Sequence, residues 1–182
     1  MKSFLTSLGV SAALLLASAP AFADAQKDWA TVSDIGVAGL SLLSIGLPVA
    51  KGDKQGAFQA AGSIGATALV TTTLKASFPE LRPDGSDRKS FPSGHTANAF
   101  AAAASLYNRQ GPKVGVPALL VASLVGVARV KAEKHHWYDA VIGAGIGTTA
   151  GFLITRNRRE QSVVAIPWGD SKGGGISLAM RF

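Results

Sequence analysis

The sequence contains no cysteine, and it has few aromatic and few charged residues, 7% and 16% of its 182 positions. Without cysteine the chain can form neither disulfide bonds nor thiolate metal sites. Lysine and arginine are scattered at the ends of apolar segments and form no basic stripe with interleaved aromatics, which argues against nucleic-acid binding. Acidic residues are also scarce, and the formal charge of +7 favours anionic partners such as a lipid surface or a phosphorylated ligand.

The length and the apolar content, 47% of residues, predict one domain with a sizeable core. Residues 1–23 have the layout of a secretory signal peptide, with a basic start, an uncharged run and an Ala21-Phe22-Ala23 cleavage site. We therefore expect export to the cell envelope. The run from Phe4 to Ala23 is also long enough to span a bilayer, so an uncleaved anchor helix is the alternative.

Further runs without any charged residue are too long for ordinary strands and show no alternation, so they predict helices that are apolar nearly all round. These runs are Ile35–Ala50, Gln55–Leu74, Thr96–Asn108, Val114–Ala128 and Ala140–Thr155. In the tail, Ser162–Trp168 and Ile176–Phe182 flank a glycine-rich connection and predict a β-hairpin. The expected fold is all-α, with five core helices in residues 24–160, the N-terminal helix before them and the hairpin in residues 161–182.

Charge placement favours helices that cross a membrane. If Lys75 ends a helix on the outer side, alternation of the spans places three basic loops on the inner side, as the positive-inside rule requires. Those loops carry Lys51 and Lys54, Arg109 and Lys113, and Arg156, Arg158 and Arg159. The alternative is a soluble periplasmic protein, because several runs are shorter than a usual span and the helix that begins near Thr96 is only weakly hydrophobic.

Three clusters between Lys75 and Asp139 carry the polar chemistry of the chain. They are Lys75-x6-Arg82-Pro83, Pro92-Ser93-Gly94-His95 and Arg129-x5-His135-x3-Asp139. Together they supply cations for phosphate oxygens, two imidazoles and one carboxylate. This inventory suits phosphoryl transfer, in which electrostatic stabilisation dominates and a histidine can be the covalent nucleophile.

The three clusters resemble the signature of the type 2 phosphatidic acid phosphatase (PAP2) superfamily, which includes bacterial class A acid phosphatases and vanadium haloperoxidases. The resemblance implies that His135 is the nucleophile and that Asp139 orients it. The membrane members of this superfamily have six helices and an active site that faces outward. One departure is Ala128, which stands where the family pattern usually has serine and so removes a possible hydroxyl contact.

The residues themselves support roles for the other positions. His95 is expected to be the general acid that protonates the leaving oxygen. Ser93 and Gly94 precede it at a turn into a helix, where free backbone N–H groups favour an anion, so they are interpreted as phosphate binders. Lys75, Arg82 and Arg129 are expected to clamp the non-bridging oxygens.

The sequence therefore predicts a metal-independent phosphatase without a cofactor that hydrolyses phosphate monoesters or pyrophosphates, with a lipid substrate if the chain lies in the membrane. Alternatives are a vanadate-dependent haloperoxidase, a soluble periplasmic acid phosphatase and an envelope protein that only binds anions. His136 adjoins the nucleophile, but only His135 keeps the spacing from Arg129. A metal site made by His95, His135 or His136, and Asp139 is disfavoured, because the nearby cations would oppose it.

Overall fold

The structure, a computed structural model, describes residues 25–157, 163–170 and 173–180, so the predicted signal segment lies outside the described residues. The described chain forms helices that match the five predicted runs and a two-stranded antiparallel sheet. The helices are α1 (Ala25–Ala50), α2 (Lys54–Ser77), α3 (Gly94–Gln110), α4 (Pro112–Lys131) and α5 (Trp137–Ile154). The all-α prediction is confirmed, and the helices extend past most ends of the uncharged runs.

Local sequence signals set the helix starts. Asp53 caps α2 by accepting a hydrogen bond from the Gly56 N–H at 3.0 Å. Ser93 is the N-cap of α3. Gly111, at φ 85°, ends α3 in a conformation that glycine adopts easily, and Pro112 then occupies the first position of α4.

Helix α3 is the centre of the bundle and contacts each of the other four helices. Its alanines are completely buried at positions 97, 99 and 101–104. Small side chains let four neighbours approach one helix closely. The weak hydrophobicity of this run therefore reflects its central position, where no lipid would reach it.

Helix α5 meets α3 through a stripe of glycines, Gly143, Gly147 and Gly151. A Cβ atom added at Gly147 would lie 1.9 Å from the carbonyl oxygen of Ala97, and one at Gly143 would lie 2.5 Å from that of Ser93. These backbones approach so closely that only glycine fits, and the contact holds the start of α5 against the start of α3.

The large apolar side chains face outward, while the interior is built mainly of alanine, glycine, serine and threonine. The large apolar residues with at least two thirds of their surface exposed come from four of the helices. They are Leu42, Phe58, Leu69, Leu120, Trp137 and Leu153. A soluble domain rarely leaves so many large apolar side chains exposed. By length and composition, two of the described helices, Ala25–Ala50 and Pro112–Lys131, could cross a membrane.

The predicted basic loops meet at one end of the bundle. Arg109 forms a buried bidentate pair with Asp53, with both nitrogen–oxygen distances at 2.5 Å. Arg109 also donates to the carbonyl oxygen of Arg156, and Lys51 donates to the side chain of Gln110. The chemical clusters lie at the opposite ends of these helices.

The tail hairpin is confirmed, with β1 (Val163–Asp170) paired to β2 (Gly173–Met180). Its strands run further into the glycine-rich connection than the sequence predicts, since Asp170 pairs with Gly173. Backbone hydrogen bonds depend little on side chains, so glycines can take part in a strand ladder.

Candidate active site

Two loops line the site, and hydrogen bonds join them to each other. The first loop connects α2 to α3, and the second connects α4 to α5. The Asp84 carboxylate accepts a hydrogen bond of 2.6 Å from Lys134 Nζ, and the Asp84 backbone N–H donates one of 3.1 Å to the Glu133 carbonyl oxygen. Arg82 donates to the Lys134 carbonyl at 3.2 Å and to Asp87 at 2.7 Å. The Lys134 ammonium also holds the pKa of Asp84 well below its usual range.

Lys75 fastens the first loop to the end of α2. Its ammonium donates to the carbonyl oxygens of Lys89, Ser90 and Pro92, at 2.7, 3.3 and 2.5 Å. Burial, together with the positive charge of Arg82, lowers the pKa of Lys75 to about 8. This residue therefore orders the loop before His95 as well as contributing charge.

Ser93 and Gly94 lie where the sequence predicts, at the start of α3. The Ser93 hydroxyl lies 2.9 Å from that of Thr96, and the Ser93 N–H donates to the Asp139 carbonyl at 3.1 Å. The side chain of Ser93 is thus engaged in capping, while the first turn of α3 still presents helix N–H groups toward the site.

His135 and Asp139 are adjacent, as the orienting role implied by the resemblance requires, but no hydrogen bond joins their side chains in this structure. His135 Nδ1 lies 3.7 Å from Asp139 Oδ2, which is beyond hydrogen-bond distance. The same oxygen accepts from the Ser90 hydroxyl at 2.5 Å and from the His136 N–H at 2.9 Å. Helix α5 begins at Trp137 with His136 as its N-cap, so His135 precedes the helix that carries Asp139.

The electrostatic surroundings keep the His135 imidazole neutral. His135 is 2% exposed. Burial lowers its pKa to about 3, and the charges of Lys75, Arg129 and Arg82 act in the same direction against the opposing charge of Asp139. A neutral imidazole retains a nitrogen lone pair, and the cations that keep it neutral can also bind phosphate oxygens.

His95 is paired with an acidic residue that the motifs do not include. Its Nε2 lies 2.9 Å from Asp34 Oδ1 on α1, and Arg129 Nη1 lies 3.6 Å from the same oxygen. Arg129 also donates to the Ser33 hydroxyl at 3.3 Å. Helix α1 thus supplies a hydroxyl contact to Arg129, whose preceding residue, Ala128, offers none.

Buried polar atoms without a partner are concentrated in this region. Among the described residues, those side-chain atoms are Asn98 Oδ1, Arg129 Nε, His135 Nδ1 and Asp139 Oδ1. Buried polar groups are nearly always hydrogen-bonded, and exceptions point to a site whose partners arrive with a ligand or by rearrangement.

The ring of His136 shares two groups with the site, since its Nδ1 lies 3.4 Å from Asp139 Oδ2 and 3.3 Å from the Ser90 hydroxyl. It stacks on Tyr138, and its Nδ1 lies 3.7 Å from Glu80. The hydrogen bond from Tyr138 to Glu80 raises the pKa of the phenol to about 12. A group of possible metal ligands consists of Glu80, His136 and Asp139, whose ligand atoms lie within 4.8 Å of one another. This group does not contain His95, which the alternative metal site predicted from the sequence requires.

The structure adds residues that the motifs did not reveal. Ser90 holds Asp139, Asp84 and Lys134 join the two loops, and Asp34 meets His95. Only Asp34 leaves a signal in the sequence, as the charged residue directly before the uncharged run that begins at Ile35.

The histidines and cations of the separate clusters lie together at one end of the bundle, an arrangement suited to binding an oxyanion. Comparison with known proteins shows the family: the chain belongs to the PAP2 superfamily, whose sequence model matches residues 56–162.

Among curated proteins, the chain is similar to a lipid A 1-phosphatase from Porphyromonas gingivalis, with 42% identity over 82 residues, 43% of this chain and 18% of that protein. It is also similar to a lipid A 4'-phosphatase from Helicobacter pylori, with 30% identity over 132 residues, 71% of this chain and 62% of that protein. The chain therefore spans less than two thirds of the length of either relative.

The fold resembles the crystal structure of Aquifex aeolicus LpxE, with a TM-score of 0.52 and 23% identity over 72% of this chain and 94% of that one. This likeness supports the helical architecture described above.

Proposed function

We propose that this protein is a phosphatase of lipid phosphates that acts through a phosphohistidine on His135. The observation that carries the proposal is the buried His135, held neutral and surrounded by the charges of Lys75, Arg82 and Arg129. Each of these groups is needed for attack on phosphorus, and they come from two of the three clusters.

In the first step, the Nε2 lone pair of His135 attacks phosphorus while Nδ1 keeps its proton toward Asp139. The bond between phosphorus and the leaving oxygen breaks, and His95 gives its proton to that oxygen. The cations stabilise the charge on the equatorial oxygens, as does the first turn of α3. On substrate binding, His135 Nδ1 moves within hydrogen-bond distance of the Asp139 carboxylate. Both buried atoms that lack a partner, His135 Nδ1 and Asp139 Oδ1, then gain one.

In the second step, water attacks the phosphohistidine. His95, now neutral, accepts a proton from that water, and the P–N bond breaks to release phosphate and regenerate neutral His135. The arrangement assigns transition-state stabilisation to the protein's own cations, so the mechanism we propose requires no metal ion.

A lipid substrate is favoured by the outward-facing apolar residues and by the relatives, two of which are named for phosphatase activity on lipid A. We place the protein in the membrane, with the site at the periplasmic face because the basic loops lie at the opposite end. A lipid could then present its phosphate to the site while its chains remain in the bilayer.

The test is phosphate release from phosphatidic acid, undecaprenyl pyrophosphate and lipid A with EDTA present, followed by trapping of phosphoenzyme. The wild-type protein and His136→Ala should form acid-labile phosphoenzyme, and His135→Ala should form none and lose turnover by at least about a thousandfold. Acid-labile phosphate on His136, or activity lost in EDTA and restored by Zn²⁺ or Mg²⁺, would refute the mechanism.

A further inference from the structure

The carboxylate of Asp34 lies between the general acid and one of the phosphate-binding cations. Its Oδ1 is 2.9 Å from His95 Nε2 and 3.6 Å from Arg129 Nη1. In the reaction proposed above, the oxygen that leaves phosphorus must receive a proton from His95 while the phosphate is held by Arg129. Asp34 Oδ1 therefore lies where that leaving oxygen has to be.

A single N–H on His95 Nε2 has one strong acceptor at a time. The leaving oxygen must consequently replace Asp34 Oδ1, and the carboxylate must move aside. Asp34 is able to do so because its side chain is 60% exposed on the surface of α1. After this displacement the carboxylate still lies beside the leaving group, since its helix is packed against α3.

We propose that Asp34 is a specificity-determining residue that favours phosphate esters of a neutral alcohol over pyrophosphates, because its carboxylate lies beside the leaving group. This inference rests on the proposed phosphatase function and narrows its substrate class. An alcohol leaves as a neutral group that can donate a hydrogen bond to Asp34. A pyrophosphate leaves as a phosphate ester anion, which the carboxylate repels.

The neighbouring cavity supports the same choice. It has a volume of about 250 Å³ between α1, α2 and α3 and is lined by His95, Lys75, Thr71, Thr72 and Asn98 together with small apolar residues. Asn98 Oδ1 is buried there without a partner. An uncharged group with hydroxyl or amide donors would satisfy this acceptor, whereas a second phosphate offers only acceptors, and Lys75 in the lining already donates to three loop carbonyls.

Asp34 also balances the charges that face His95. Burial lowers the pKa of His95, as do the charges of Arg129 on α4 and Arg82 in the first loop, and Asp34 opposes them through charge and hydrogen bonding. Lys75 of α2 lines the same cavity. Alkoxide leaving groups depend on a protonated His95, whereas a phosphate ester leaves without needing a proton.

The experiment measures kcat/KM from initial rates with farnesyl phosphate and with farnesyl diphosphate in separate reactions on one preparation, so that folding losses cancel in the ratio. Asp34→Asn should lower the rate with the monoester and raise it with the diphosphate, shifting the ratio by about tenfold or more. Asp28→Asn changes an exposed carboxylate in the first turn of the same helix and should leave the ratio unchanged.

An equal change of both rates in Asp34→Asn would show a purely structural role and overturn the inference, as would a shift of the ratio toward the monoester. Wild-type protein that releases phosphate from neither compound nor from the lipid panel would instead refute the phosphatase function itself. If the wild type is active and the ratio of the two kcat/KM values is unchanged in Asp34→Asn, the phosphatase function stands and only the role of Asp34 is refuted.

Discussion

Lys75 both supplies a positive charge to the site and holds the loop before α3 in place. Its ammonium holds three carbonyl oxygens of the loop that leads into α3, and its pKa is lowered to about 8 by burial and by Arg82. Because the pKa is lowered, the charge is lost at a lower pH than for an ordinary lysine. The loop and the phosphate site then lose a cation together.

Loss of the proton of His95, whose pKa is lowered by burial, makes kcat/KM fall first, and we expect a further fall as the pH rises through about 8, where free Lys75 loses its proton. Lys75→Arg keeps its charge throughout this range and should move this second alkaline fall upward by at least about one pH unit. The measurement is a pH profile of kcat/KM for both proteins, with Lys113→Arg at the other end of the bundle as the control. A second alkaline fall at the same pH in Lys75→Arg would assign it to another group.

At the scale of single elements, the packing of α5 on α3 positions the site. Asp139 and Ser93 are in the first turns of the two helices or directly before them, and they are joined by a backbone hydrogen bond of 3.1 Å. The glycine stripe of α5 sets this separation. A side chain there would push the Asp139 carboxylate away from the start of α3, where His95 lies.

Gly147→Ala is predicted to destabilise the protein by about 1–3 kcal/mol, because its Cβ would lie 1.9 Å from the Ala97 carbonyl oxygen. Gly145 is exposed in the same helix, and a Cβ there meets nothing within 4 Å. Gly145→Ala should be neutral or stabilise by up to about 1 kcal/mol. Thermal unfolding of both variants in the same detergent tests the prediction, and equal midpoints would contradict the close approach of α3 and α5.

At the scale of the whole molecule, small residues inside and large apolar residues outside reverse the arrangement of a soluble domain. In the membrane placement that we propose, lipid solvates exposed leucine and phenylalanine as well as a protein core does, so the helices would associate through close packing and interhelical hydrogen bonds. Ser63, Ser105 and Thr155 form such a chain of buried hydroxyls, with distances of 2.8 Å.

We expect the protein to remain in the membrane fraction after carbonate extraction. The absence of cysteine allows single-cysteine labelling: Ser86→Cys, near the site, should react with an impermeant maleimide in spheroplasts. Lys113→Cys, at the basic end, should react only after permeabilisation. Recovery of active protein by osmotic shock without detergent would defeat the membrane placement, and the reverse labelling pattern would defeat the orientation.

The sequence alone determined the helices, the hairpin and the residues of the three clusters. These features depend on local composition: long uncharged runs favour helices, and glycine and proline mark their ends. The family signature also identified His135 and not His136, a choice that still awaits its test.

Only the tertiary structure decided which groups meet those residues. Ser33 and Arg129 are 96 positions apart, and Ser90 is 49 positions from Asp139, so no local pattern links them. The central position of α3 is likewise a result of packing, since an alanine-rich run has the same sequence whether it faces water or four helices. Asp34 has no motif around it, and its place beside His95 follows from how α1 packs against α3 and α4, because contacts between distant segments are fixed by the fold as a whole.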